Sequence, residues 1–143
     1  MTIAAVASFI LFVMSLAVHF LALRLISSQL PECGQCRPYL VLFALVGILF
    51  AHLAEIALYA LAFDWLSAGA QVGGLAGQQD ASFMDYFYYS AVMYTSLGIG
   101  DVYPLEHLRI ISGLETLNGL LLIGWTTSFT FLMMRRYWFQ ENH

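Results

Sequence analysis

Charge is scarce in this 143-residue chain: nine acidic residues, five arginines and no lysine make 10% charged residues and a formal net charge of −4. Ordinary soluble domains carry about 25% charged residues, so the composition excludes a water-soluble monomer. No basic run exists that can track a phosphate backbone, which excludes nucleic acid as a partner. Two cysteines cannot build the disulfide framework of a small secreted domain. What the chain has instead is apolar surface, with 61% hydrophobic residues and a mean hydropathy of +0.78. The length leaves room for one domain, and each helical crossing of a bilayer takes about 20 apolar residues. Three or four crossings nearly exhaust the chain. The expectation is a small integral membrane protein whose chemistry lies in its few polar residues.

Ile3 to Val18 is apolar apart from small hydroxyls, and continuing through His19 to Ile26 gives a first span. It lacks the basic start of a signal peptide, since its first cation is Arg24 at the far end, and is expected to stay in the mature protein. A second span runs from Tyr39 to Leu66, interrupted by His52, Glu55 and Asp64, and a third from Leu108 to Met134, interrupted by Arg109, Glu115 and Asn118. Arg24 and Arg37 flank the short connection between the first two spans, and Arg135 and Arg136 follow the third. The positive-inside rule assigns those ends to the cytoplasm. The N-terminus and the segment from Leu66 to His107 are then expected outside. His19 and Arg24 are expected to snorkel toward the cytoplasmic surface, with no further role.

The outer segment is too apolar for a plain loop. After a Gly/Ala/Gln stretch from Ala68 to Gln79, Ser82 stands three residues before Asp85, the spacing of a capping box that opens a helix. Phe83 to Thr95 is long enough for three turns and too short for a span, which predicts a re-entrant half-helix. Then comes Thr95-Ser96-Leu97-Gly98-Ile99-Gly100-Asp101, with glycines at alternate positions. Glycine enters left-handed backbone conformations without steric cost, and alternating handedness turns successive carbonyls toward one axis. A ladder of such oxygens can replace the hydration shell of an ion. The carbonyls of Ser96, Leu97, Gly98 and Ile99, with the Ser96 hydroxyl at the inner end, are the candidate coordination sites. The half-helix aims its partly negative C-terminus at the same axis and favours a cation there.

The stretch YTSLGIGDVYP, set between two spans, resembles the signature pore loop of potassium channels. The chain is similar to the small prokaryotic ion-channel family with one pore loop per chain, over roughly Tyr39 to Met134. The resemblance implies a passive potassium-selective channel in the inner membrane, assembled as a homotetramer, with K+ as the permeant ion and no enzymatic activity or cofactor. It assigns Ser96 to Gly100 to the filter and Asp101 to the acid that follows it, and makes Gly119 and Gly124 gating-hinge positions on the inner helix. Two departures stand out. The family's usual filter tyrosine is Ile99 here, so Tyr88 and Tyr89 must brace the filter in another way. The pore-helix position that carries a glutamate in some members is Val92, and Glu115 is expected to fill that polar role from another helix.

His52 and Glu55 share a helix face by their i, i+3 spacing. At 1.5 Å per residue, Glu55 and Asn118 each lie about 16 Å from the outer ends of their spans, with Glu115 one turn further out. A cluster of His52, Glu55, Glu115 and Asn118 behind the filter is therefore expected, as a structural network or, if Glu55 and Glu115 share a proton, as a gate. Metal binding by His52 with the two glutamates is the weaker option. Cys33 and Cys36 form a CxxC in the cytoplasmic connection; one pair supplies only two of the four ligands zinc takes, so ordinary reduced thiols are expected there.

The expected architecture is thus an all-α membrane protein: three transmembrane helices, with a re-entrant pore helix and selectivity-filter loop between the second and third. Residues 1–38 form a peripheral helix and cytoplasmic loop, 39–138 the pore domain and 139–143 a short cytoplasmic tail. Competing expectations are a weakly selective cation channel, motivated by Ile99, a non-conducting redox or metal module working through Cys33 and Cys36, and a non-conducting accessory subunit.

Overall fold

The computed structural model describes residues 2–30, 39–69, 72–77 and 81–138, with side chains as far as Arg136. Four helices, α1 (Thr2–Gln29), α2 (Tyr39–Gly69), α3 (Phe83–Tyr94) and α4 (Leu108–Trp138), carry the fold, with two-residue strands β1 (Leu75–Ala76) and β2 (Tyr103–Pro104). Helices α1, α2 and α4 are long and apolar enough to cross a membrane. Each runs a few residues past the span read from hydropathy, because backbone hydrogen bonding carries a helix beyond the point where its side chains leave the apolar layer.

Packing follows stripes that the apolar surfaces conceal. Along α1 the buried positions are Ala4, Ser8, Leu11, Ser15, His19, Leu23 and Ile26, a single i+3/i+4 stripe. Its small residues let neighbouring backbones approach closely, as membrane interfaces require. This stripe packs against both α2 and α4, while α3 packs against α2 and α4 elsewhere. One core, containing Leu11, Phe63, Tyr89 and Leu108, joins the N-terminal end of α1 to the C-terminal end of α2 and the starts of α3 and α4. A second, containing Leu23, Ala44 and Met133, joins the opposite ends. The N-terminal end of α1 therefore lies at the same end of the bundle as the start of α3, the relative arrangement expected from three successive crossings.

Residues 72–77, within the Gly/Ala/Gln stretch that follows α2, are held by strand pairing. β1 pairs antiparallel with β2, Leu75 opposite Pro104 and Ala76 opposite Tyr103, and the Leu105 N–H donates to the Gly74 carbonyl at 2.8 Å. Gly77, at φ +102°, lies against the Asp101 carbonyl where a Cβ would collide. This pairing clamps the chain that leaves the 95–101 loop.

Candidate ion pathway and buried polar ring

Helix α3 begins as its capping residues dictate: the Asp85 carboxylate accepts from the Ser82 N–H at 2.7 Å and from its hydroxyl at 2.8 Å. The Ser82 hydroxyl and backbone bonds hold the Asp85 carboxyl below its ordinary value. The helix ends at Tyr94, and the following N–H groups fold back onto its last turn. Ser96 N–H donates to the Met93 carbonyl at 3.0 Å and Leu97 N–H to the Val92 carbonyl at 3.0 Å. The Thr95 hydroxyl donates to the Ala91 carbonyl at 2.7 Å.

Beyond that point the backbone alternates in handedness, with φ of +60° at Ser96, +55° at Gly98 and +84° at Gly100. The two glycines were the sequence signal. Ser96 is the third member and carried none, since a residue with a Cβ enters this region at a cost of about 1–2 kcal/mol; its bond to Met93 helps hold it there. Residues 95 to 101 are all exposed in the single chain, with Leu97 65% and Ile99 56% accessible.

The brace for the loop is Tyr88, whose hydroxyl donates to Asp101 at 2.8 Å. That bond holds the Tyr88 hydroxyl above its ordinary value. Asp101 also accepts from the Val102 N–H at 2.9 Å. Tyr89 points the other way, donating to Ser112 on α4 at 2.7 Å, so it anchors the half-helix rather than the loop.

Behind the loop lies a closed ring of polar side chains drawn from all four helices. His19 Nδ1 is 2.9 Å from Glu55 Oε1, and His19 Nε2 is 3.2 Å from Thr126 Oγ1. Thr126 Oγ1 is 3.0 Å from His52 Nε2, and His52 Nδ1 is 2.8 Å from the Tyr94 hydroxyl. Tyr94 closes the ring by donating to Glu55 Oε2. His52 Nδ1 also lies 3.3 Å from Glu55 Oε2.

Two expectations are corrected here. His19 does not snorkel: it is fully buried and partners Glu55, because it stands on the one stripe of α1 that faces α2 and α4. Nor do the four polar residues of α2 and α4 meet as one cluster. His52 and Glu55 are brought together, whereas Glu115 bonds Ser90 on α3 and Asn118 donates to Tyr59 at 3.1 Å. Glu55 and Glu115 thus have separate partners, which removes the basis for a shared proton. Depth along the helices predicted the levels, but the rotation of α4 about its axis decided the partners. Glu115 does reach α3 from α4 through Ser90, while Val92 is buried and has no polar side-chain atom to offer.

Gly119 is buried with its Cα against the Tyr94 backbone, where a Cβ would collide with the carbonyl, so it is a close-approach glycine. Gly124 is exposed and has open space beside it. Cys33 and Cys36 lie outside the described residues. Among the described residues, His19, His52 and Glu55 bring donor atoms within 4.8 Å of one another. Tyr94 and Thr126 were missed by reading the sequence, since neither an isolated tyrosine in an aromatic helix nor a threonine in an apolar one carries a distinguishing pattern.

The sequence model of a family described as ion channel matches residues 51–136, more than half of the chain, and the match spans α3, the 95–101 loop and nearly all of α4. No curated protein and no solved structure matches the chain.

Proposed function

The chain belongs to the ion channel family, a multi-pass membrane protein and not an enzyme, and we propose that four copies of it form a passive, potassium-selective pore. The observation that carries this reading is the alternation of positive φ at Ser96, Gly98 and Gly100 directly after the half-helix α3. Such a backbone directs successive carbonyls to one side, and a ring of them can stand in for the water shell of K+. A single chain offers one wall of that ring. Closure under cyclic symmetry supplies the others, and the exposure of the whole 95–101 loop supports an assembly around it.

In this reading Thr95 to Asp101 form the filter, the α3 C-terminus faces the ion axis and α4 lines the inner cavity, with Gly119 and Gly124 available to its movements. Arg24, Arg135 and Arg136, with Arg37 in the sequence between α1 and α2, support a cytoplasmic position for that end of the chain's spans, and the N-terminus is then outside. A prokaryotic inner membrane is the proposed location.

A weakly selective cation channel is the second reading, favoured by one observation: Ile99 is 56% exposed and has no hydroxyl with which to stiffen the loop. The test is ion flux through the purified protein in liposomes, loaded with potassium and diluted into sodium, then with the cations exchanged. Potassium-driven flux blocked by barium is expected. Equal flux of both cations would favour the second reading, and no flux at any pH would overturn both.

A further inference from the structure

We propose that His19, His52 and Glu55, with the Tyr94 hydroxyl as fourth donor, form a buried binding site for a transition-metal dication of the zinc class. The inference stands independently of potassium conduction, and departs from the expectation that the chain holds no cofactor.

The donor set suits such an ion. Two imidazoles and a carboxylate are a common zinc-binding combination, with bonds of about 2.0–2.2 Å. A tetrahedral arrangement at those bond lengths separates neighbouring ligand atoms by roughly 3.3 Å. Here His19 Nδ1 is 2.9 Å from Glu55 Oε1, His52 Nδ1 is 3.3 Å from Glu55 Oε2 and 2.8 Å from the Tyr94 hydroxyl. Each of these pairs is within a few tenths of an ångström of coordination spacing, and the ligand atoms of His19, His52 and Glu55 all lie within 4.8 Å of one another. His19 and Glu55 are fully buried and the His52 side chain is 16% exposed, so the site is closed in the manner of a structural metal site.

The orientation of the two rings carries the argument further. Both Nδ1 atoms face Glu55, and both Nε2 atoms face the single hydroxyl of Thr126, at 3.2 Å from His19 and 3.0 Å from His52. Metal-bound histidines characteristically donate the N–H of the other ring nitrogen to an oxygen that fixes the tautomer. With Nδ1 on the metal, each ring is neutral with its proton on Nε2, and the two lone pairs of Thr126 Oγ1 accept both.

The hydrogen supply of the ring also favours a bound ion. The metal-free ring has five links and needs five hydrogens. Two neutral imidazoles, Tyr94 and Thr126 bring four when Glu55 is ionised, so one link is complete only with an added proton. A dication in place of the hydrogens at the Nδ1 side removes that deficit. Release of the Tyr94 proton on binding then lets Glu55 and Tyr94 balance the two positive charges. The ligands come from α1, α2 and α3 and the supporting oxygen from α4, so the bound ion locks the last residue of α3 to the rest of the bundle.

The test uses the full chain purified without a histidine tag, in a Cys33→Ser/Cys36→Ser background so that thiolates cannot contribute. After chelation the protein is titrated with Co2+, whose visible d–d absorption is intense in a four-coordinate site. One Co2+ per chain, an intense band displaced by Zn2+, and loss of that band in both His19→Gln and His52→Gln are expected. A band that persists in either variant would overturn the site. Should the variants not fold, the parent protein alone decides: no four-coordinate band at saturating Co2+ overturns the proposal. None of these readouts depends on flux, so a negative result would leave the channel reading where it stands.

Discussion

Gly119 on α4 lies against the carbonyl of Tyr94, the last residue of the pore helix, with no space for a Cβ between them. The inner helix and the end of the half-helix are therefore in backbone contact at the point where the 95–101 loop begins. Gly119→Ala is expected to push the two apart and destabilise the protein by about 1–3 kcal/mol, read as a lower midpoint of thermal unfolding in detergent. Gly124→Ala, with open space at its Cβ position, is expected to leave that midpoint unchanged. Equal behaviour of the two variants would contradict the packing assignment.

Within one chain Gly98 and Gly100 have no neighbour within reach of an added Cβ, so alanine there acts on the chain's own fold through conformation. At φ of +55° and +84° each substitution disfavours the observed backbone by about 1–2 kcal/mol. Cation flux is expected to fall in both variants while helicity and assembly are kept. Undiminished flux would mean that the alternating backbone is not the conducting element.

Acid is expected to loosen the start of α3 through Asp85. Its carboxyl is held below the ordinary value of 3.8 by the Ser82 hydroxyl and backbone N–H. A group with a lowered native value binds fewer protons folded than unfolded, so its contribution is complete above 3.8 and is lost as pH falls through the native value. Amide protection in the first turn of α3, relative to the intrinsic exchange rate at each pH, is expected to fall below that window, and Asp85→Asn is expected to flatten this dependence. The same acid response in both proteins would rule the capping contact out as its source.

Ser90 brings one hydroxyl proton to two acceptors, the Ile56 carbonyl at 2.8 Å and Glu115. A side chain at 115 that carries its own hydrogen completes both links. Glu115→Gln is expected to keep the thermal midpoint, whereas Glu115→Leu leaves the Ser90 hydroxyl only its bond to the Ile56 carbonyl and loses one buried hydrogen bond, at a cost of about 1 kcal/mol. A stable leucine variant would show that Ser90 is satisfied without residue 115.

What could be read without coordinates was local. Three apolar runs, long enough to cross a bilayer, became α1, α2 and α4 because an apolar solvent forces each run to satisfy its own backbone. Ser82 and Asp85 marked the start of α3 because a capping box is complete within four residues. Gly98 and Gly100 marked the left-handed positions because only glycine takes them freely.

The contacts between elements were decided by the tertiary structure. Helices apolar on every side give no amphipathic signal of which face packs, so His19 looked like a terminal residue of its span and is instead buried against Glu55. Thr126 lies 107 residues from His19, and only the rotation of α1 and α4 about their axes brings the two together. The same rotation sent Glu115 to Ser90 and Asn118 to Tyr59. The β1–β2 pair, two residues on each side, is too short to leave a period in the sequence. Hydropathy and local backbone preference thus determined which segments are helical and where the loop turns; helix rotation and close approach, which neither encodes, decided the polar ring behind it.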